Sequence, residues 1–285
     1  MIEEYNSQKS ALSSSDTPAI CQPASMFASP GRFFYDETHR QLQGNIMENT
    51  VIPLQARQQR GNLPSLGDPY GKSLLGAPLL YFPAELAPSE SGLIIAGTHG
   101  DETAAVVALS CALRTLFSGQ RRHHVILAVN PDGCQLGLRA NANGVDLNRN
   151  FPASNWQPGK TVYRWNSAAD ERDVELSTGE TAGSEPETKA LCSLIEKLNP
   201  HWVVSFHEPL ACIEDPQGSE LGRWLAQQCE LPLVSSVGYD TPGSFGSWCA
   251  DRSLHCITAE LPPISADAAS ECYLKAMVAL LSQQF

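Results

Sequence analysis

No run of apolar residues in this 285-residue chain approaches the ~18 that a membrane-spanning helix needs. The opening Met1-Ile2-Glu3-Glu4 is acidic with no apolar stretch behind it, so neither a standard secretory signal nor a membrane anchor is expected. Basic residues are also scarce: 19 Lys and Arg stand against 31 Asp and Glu, a net charge of -12. Nucleic-acid affinity rests on many cationic phosphate contacts, so a general polyanion binder is excluded and an anionic substrate must be met by locally placed Arg. Closely spaced cysteine pairs are missing too. The nine cysteines are scattered from Cys21 to Cys272, a usage that suits reduced thiols in a cytoplasm better than a disulfide framework.

Apolar residues make up 42% of the chain, enough for a large globular core. Residues 1–65 are rich in Ser, Gln, Asn and Pro and read as an N-terminal extension, flexible or docked through the aromatic patch Phe27, Phe33, Phe34 and Tyr35. Residues 66–285 read as one domain. There apolar runs alternate with helical patterns: strands at Leu79 to Phe82, Leu93 to Ala96, Val125 to Val129, Trp202 to Phe206, Leu233 to Val237 and Cys256 to Glu260. Helices are expected at Asp101 to Phe117, with an acidic first turn, near Glu185 to Leu198, near Ser219 to Gln228, and near Ala266 to Gln283. Strand, helix, strand is the mark of a crossover unit, so the fold class is α/β with a mixed, mostly parallel central sheet flanked by helices. Ligands collect at the carboxyl ends of such strands, where His99, His207 and Glu260 fall.

The stretch Gly97-Thr98-His99-Gly100-Asp101-Glu102 offers an imidazole and a carboxylate three residues apart, which begins a metal site. Catalytic zinc usually takes three protein ligands and leaves one position to water. Of the other histidines, His39 lies in the polar extension, His123 and His124 stand beside Arg121 and Arg122 and read as solvated, and His201 and His255 precede strands. His207 ends an apolar strand before Glu208-Pro209 and is the third ligand candidate. Asn130-Pro131-Asp132-Gly133 is turn chemistry, while Arg139 to Phe151 gathers two Arg and four Asn as donors for a carboxylate and an oxyanion, or as an ordinary solvated loop. Glu260 sits in the apolar strand Ile257-Thr258-Ala259-Glu260, where a carboxylate needs a partner or a task. It is the candidate general base, although a strand-end glutamate paired to an Arg would read the same.

Taken together, His99-x-x-Glu102, Arg139, Asn148-Arg149, His207 and Glu260 resemble, in order and spacing, the zinc metallocarboxypeptidases of the carboxypeptidase A type, over about residues 70 to 282. The wording of Thr98 to Glu102, Asn130 to Cys134, Gly144 to Pro152 and Ser205 to Leu210 is closer to a Gram-negative branch of that family. That branch cleaves the γ-D-glutamyl to meso-diaminopimelate bond of murein peptides during cell-wall recycling in the cytoplasm. The resemblance implies one Zn²⁺ per chain on His99, Glu102 and His207, Glu260 as base, and Arg139 at the oxyanion. Asn148 and Arg149 would hold the carboxylate beside the scissile bond, and Tyr239 would close over substrate. The implied partner is the small peptide L-Ala-γ-D-Glu-meso-diaminopimelate, with no nucleic acid or membrane and a monomer or homodimer as the assembly.

The far end of diaminopimelate carries both an ammonium and a carboxylate, and the segment Asn155 to Ser184, with Arg164, Asp170, Glu171, Arg172 and Asp173, has both signs of charge to meet them. Two other readings remain. One is a zinc deacylase of the aspartoacylase or succinylglutamate desuccinylase kind, acting on N-acyl amino acids, and the other a non-catalytic binder that kept the fold.

Overall fold

A computed structural model describes residues 52–164 and 173–285. The aromatic patch Phe27 to Tyr35, His39, Cys21 and the loop residues Asp170, Glu171 and Arg172 lie outside the described residues, as do the side chains of Arg164 and Asp173.

Six strands form the central sheet in the order β4-β3-β7-β10-β8-β9: β3 (Leu93–Ile95), β4 (His124–Ile126), β7 (Trp202–His207), β8 (Cys212–Glu214), β9 (Leu233–Val234) and β10 (His255–Glu260). All neighbours are parallel except β10 with β8, so the sheet is mixed and mostly parallel as expected. Two hairpins stand apart from it, β1 (Asp68–Lys72) with β2 (Pro78–Tyr81), and β5 (Lys160–Arg164) with β6 (Asp173–Ser177). β3, β4 and β7 are buried along their whole length, which is why they read as continuous apolar runs rather than alternating ones.

Helices cover both faces. Against one pack α1 (Ala104–Thr115), α4 (Glu220–Cys229) and α6 (Ala266–Ser282), around Ile94, Val204, Phe206 and Ile257. Against the other pack α3 (Pro186–Leu198) and the short α5 (Phe245–Ala250), with Phe151, Phe245 and Trp248 in mutual ring contact. Serines start three of these helices: Ser219, Ser244 and Ser265 each accept a backbone N–H three residues on, satisfying a donor that the helix leaves unpaired. The first helix differs from expectation. It begins at Ala104 with no acid in its first turn, so His99, Asp101 and Glu102 belong to the connecting turn before it. Asn130-Pro131-Asp132-Gly133, expected as a turn, opens a short helix α2 (Pro131–Leu136), with Asn130 as its N-cap.

Residues 52–65 lie against this unit: Ile52 and Leu63 pack on the core and Gln55 N donates to the Thr115 carbonyl. The eight described cysteines are all free. No described helix is long and apolar enough to cross a membrane.

His123 and His124 contradict the expectation of solvation, being 1% and 4% exposed. Each takes a backbone N–H at Nδ1, from Gly92 and Ala84, and His123 Nε2 donates to the Gln283 carbonyl. Burial holds both pKa values down at about 4. Between pH 4 and 6.5 the unfolded chain therefore binds protons that the folded chain refuses, so these groups stabilise the fold fully above pH 6.5 and lose that contribution as pH falls toward 4. Wild-type stability should rise with pH across this window more steeply than that of His123→Gln, by up to about 1.4 kcal/mol per pH unit for one proton. Urea unfolding at several pH values checks this, and identical slopes would contradict it.

Candidate metal and catalytic site

The sheet brings three chain segments to one edge. His207 and Glu260 are the last residues of β7 and β10 and sit opposite one another in the parallel ladder, while β3 enters the turn that carries His99 and Glu102. That turn needs its glycines. Gly97 has φ +64, which L side chains rarely adopt, and a Cβ at Gly100 would fall 2.0 Å from the Gly133 carbonyl carbon at the start of α2.

His99, Glu102 and His207 are all buried. His99 Nδ1 is 2.8 Å from Glu102 Oε1, His207 Nδ1 is 3.0 Å from Glu102 Oε2, and the two Nδ1 atoms are 3.2 Å apart. Two imidazoles and a carboxylate are a donor set that catalytic zinc takes, and these separations lie close to the ~3.3 Å edge of a tetrahedron with ~2 Å metal bonds. The donors fit the ion. The outer nitrogens are held as well, His99 Nε2 by Asp146 Oδ1 at 3.1 Å and His207 Nε2 by Ser205 Oγ at 3.0 Å.

Electrostatics favour a cation here. Burial opposes ionisation of Glu102, but His99, Arg139 and the imidazole hydrogen bonds outweigh it and hold the carboxyl well below its ordinary value. Burial and Arg139 oppose protonation of His99, yet Glu102 and Asp146 outweigh them and raise its pKa to about 9, which shows how strongly the carboxylates around it favour positive charge. Glu260 is pushed the other way: burial, reinforced by the Glu102 charge, raises its pKa, and its Oε2 accepts only a long 3.4 Å bond from Leu210 N. A carboxylate so placed is primed to accept a proton.

Arg139 lies half-buried beside the ligands. Its Nη1 donates to Glu102 Oε1 at 2.6 Å, and its Nε lies 3.5 Å from Asp146 Oδ2 without forming a hydrogen bond. Asp146, to which the sequence pattern assigned no role, links the whole site. Besides His99 it accepts the Asn148 N–H at 2.9 Å, capping the 3-10 turn Leu147–Arg149 that presents Asn148 and Arg149. Its position two residues before Asn148 was the one available signal.

The four Asn of this loop do not all face a ligand. Asn141 and Asn143 donate to Glu185, Asn141 also to Glu187, and Asn150 donates to the carbonyls of Thr178 and Thr181. They hold the loop in place. Asn148 is different: its Oδ1 accepts Phe245 N, and its Nδ2 has no protein partner among the described residues. Arg149 donates through Nη1 to the Asn148 carbonyl and makes no salt bridge among the described residues. A half-buried guanidinium outside any salt bridge among the described residues, next to an amide with a spare donor, has the chemistry to receive a carboxylate.

Tyr239 lies on the loop after β9 and is 47% exposed. His201 is exposed and His255 pairs with the buried Asp215, both away from the ligand triad. Two further residues went unread in the sequence, Asp101 on the ligand turn and Tyr163 on β5. The Tyr163 hydroxyl donates to Asp101 Oδ2 at 3.1 Å, and the Arg139 guanidinium lies over its ring, 5.1 Å from the centroid.

Residues 70–213 match the family model described as zinc carboxypeptidase. The chain is 73% identical over 225 residues to murein peptide amidase A of Escherichia coli K12, covering 79% of this chain and 93% of that protein. It is 55% identical over 234 residues to murein peptide amidase A of Vibrio campbellii, covering 82% and 94%. The crystal structure of murein-tripeptide amidase from Escherichia coli O157 superposes with a TM-score of 0.79 at 70% identity, covering 82% of this chain and 98% of that one.

Proposed function

The chain belongs to the zinc carboxypeptidase family, and on that premise we propose that it is a zinc-dependent amidase cleaving the γ-D-glutamyl to meso-diaminopimelate bond of murein peptides. The observation that carries the reading is the pairing of a His-Glu-His donor set with Arg149, which forms no salt bridge among the described residues, and the open Asn148 amide on the adjacent turn. Hydrolase chemistry needs the first, and a substrate with a free carboxylate beside the scissile amide needs the second.

In this reading His99, Glu102 and His207 would hold one Zn²⁺ per chain. When bound there, zinc would supply Lewis acidity for the amide carbonyl and lower the pKa of water toward ~7. Glu260 takes the proton of the attacking water and returns it to the nitrogen that leaves with diaminopimelate. Arg139 turns its guanidinium to the oxygen on which charge develops. Asn148 Nδ2 and Arg149 hold the α-carboxylate of diaminopimelate and so set which bond lies over the metal donors. Tyr239 is retained only as a residue that contacts substrate. The substrate is a short peptide recovered from the cell wall, handled in the cytoplasm, where eight free thiols are at home.

Two expectations follow. Arg149→Lys should raise KM for the tripeptide at least about tenfold, because a point charge does not reproduce bidentate carboxylate recognition. Unchanged steady-state KM would contradict that role. Given L-Ala-γ-D-Glu-meso-diaminopimelate and N-acetylaspartate in parallel, the protein should release diaminopimelate and no acetate. Acetate alone would favour the deacylase reading, which the high identity to murein peptide amidases already disfavours.

A further inference from the structure

We infer that Tyr163, on strand β5, is a positioning residue for Arg139. The inference rests on the proposed reading in one respect, that Arg139 serves the developing oxyanion.

Arg139 has three partners, and they differ in kind. Glu102 Oε1 takes its Nη1 at 2.6 Å, but Glu102 is also a metal donor, so in the working enzyme its charge is shared with the ion. Asp146 lies 3.5 Å from Nε without a hydrogen bond, and its Oδ1 is already shared between His99 and Asn148. The Tyr163 ring is the remaining contact, and it meets the guanidinium through its face rather than through a metal donor or the Asp146 carboxylate. Its orientation is fixed at the far end, where its hydroxyl donates to Asp101 on the turn between His99 and Glu102. One tyrosine thus joins the hairpin, the ligand turn and the oxyanion arginine across 62 positions of sequence.

β5 pairs with β6, Tyr163 opposite Val174, and the end of β6 is tied through Ser177 to Val145 and Asp146, so the hairpin meets the site loop while lying outside the sheet that builds the ligand triad. The geometry therefore separates two quantities. Losing the ring should leave zinc binding and carboxylate capture intact while the guanidinium loses its preferred pose.

Steady-state kinetics on the zinc-loaded full chain test this, with metal content and melting temperature measured alongside. Tyr163→Leu should lower kcat by about 3- to 30-fold, the worth of one cation–π contact, with KM for the tripeptide changed less than twofold. Tyr163→Phe, which keeps the ring and loses the anchor, should retain most of kcat, and Tyr163→Trp should restore it. In a double-mutant cycle, Tyr163→Leu should cost nothing further once Arg139 is Ala. If Arg139→Ala is severely impaired but Tyr163→Leu turns over at the wild-type rate, or if the two losses multiply, the inference is overturned and the reading of Arg139 stands. If Arg139→Ala is itself fully active, the reading of Arg139 fails first.

Discussion

Glu260→Gln should turn over at least about 10²- to 10⁴-fold more slowly than wild type, the contribution of a positioned general base, while binding zinc near stoichiometrically. Gln matches Glu in shape and can still accept the Leu210 N–H, so the strand end and its neighbours need not move. Glu260 also faces His207 across the ladder without being one of the three converging donors. What the substitution removes is the capacity to take and return a proton. Burial has already raised the affinity of this carboxyl for protons, which suits that task. Activity within a few-fold of wild type would end the assignment, and loss of zinc with activity would make Glu260 a support of the metal site instead.

The second large effect is expected at the metal. His207→Ala should lower zinc affinity by more than the ~10- to 100-fold that losing an outer partner of a ligand costs, and should abolish activity with it. The side chain is buried at the end of β7, so truncation removes one of the three converging donors. His201→Ala is the matched control, since His201 is exposed and bonds only the Ser89 carbonyl. Equilibrium dialysis against zinc distinguishes the two variants. Wild-type affinity in His207→Ala would contradict the ligand set.

Much of this was readable in the sequence for a physical reason. Strands buried on both faces are largely apolar, so β3 and β7 announce themselves as short runs of Leu, Ile, Val and Phe, and the polar residues that end β7 and the partly buried β10 stand out against their neighbours. His207 and Glu260 are legible on that ground alone, and their pairing follows from the parallel register. Elements without such contrast were missed. β8 has three residues and α5 six, too short for a period to show. His123 and His124 look solvated beside two arginines, yet backbone N–H groups from 31 and 40 positions away close over them. Asp146 and Tyr163 escaped for a similar reason. Their importance lies in contacts 47 and 62 positions distant, with His99 and Asp101, which local composition does not encode.

The most direct test of the central claim is mass spectrometry of L-Ala-γ-D-Glu-meso-diaminopimelate incubated with zinc-loaded protein in water enriched in heavy oxygen. The account predicts free, unlabelled diaminopimelate and an L-Ala-D-Glu product carrying one heavy oxygen in its γ-carboxylate, with release stopped by a chelator and restored by zinc. Intact tripeptide in the presence of fully loaded protein, or release that persists after the metal is stripped, would contradict it.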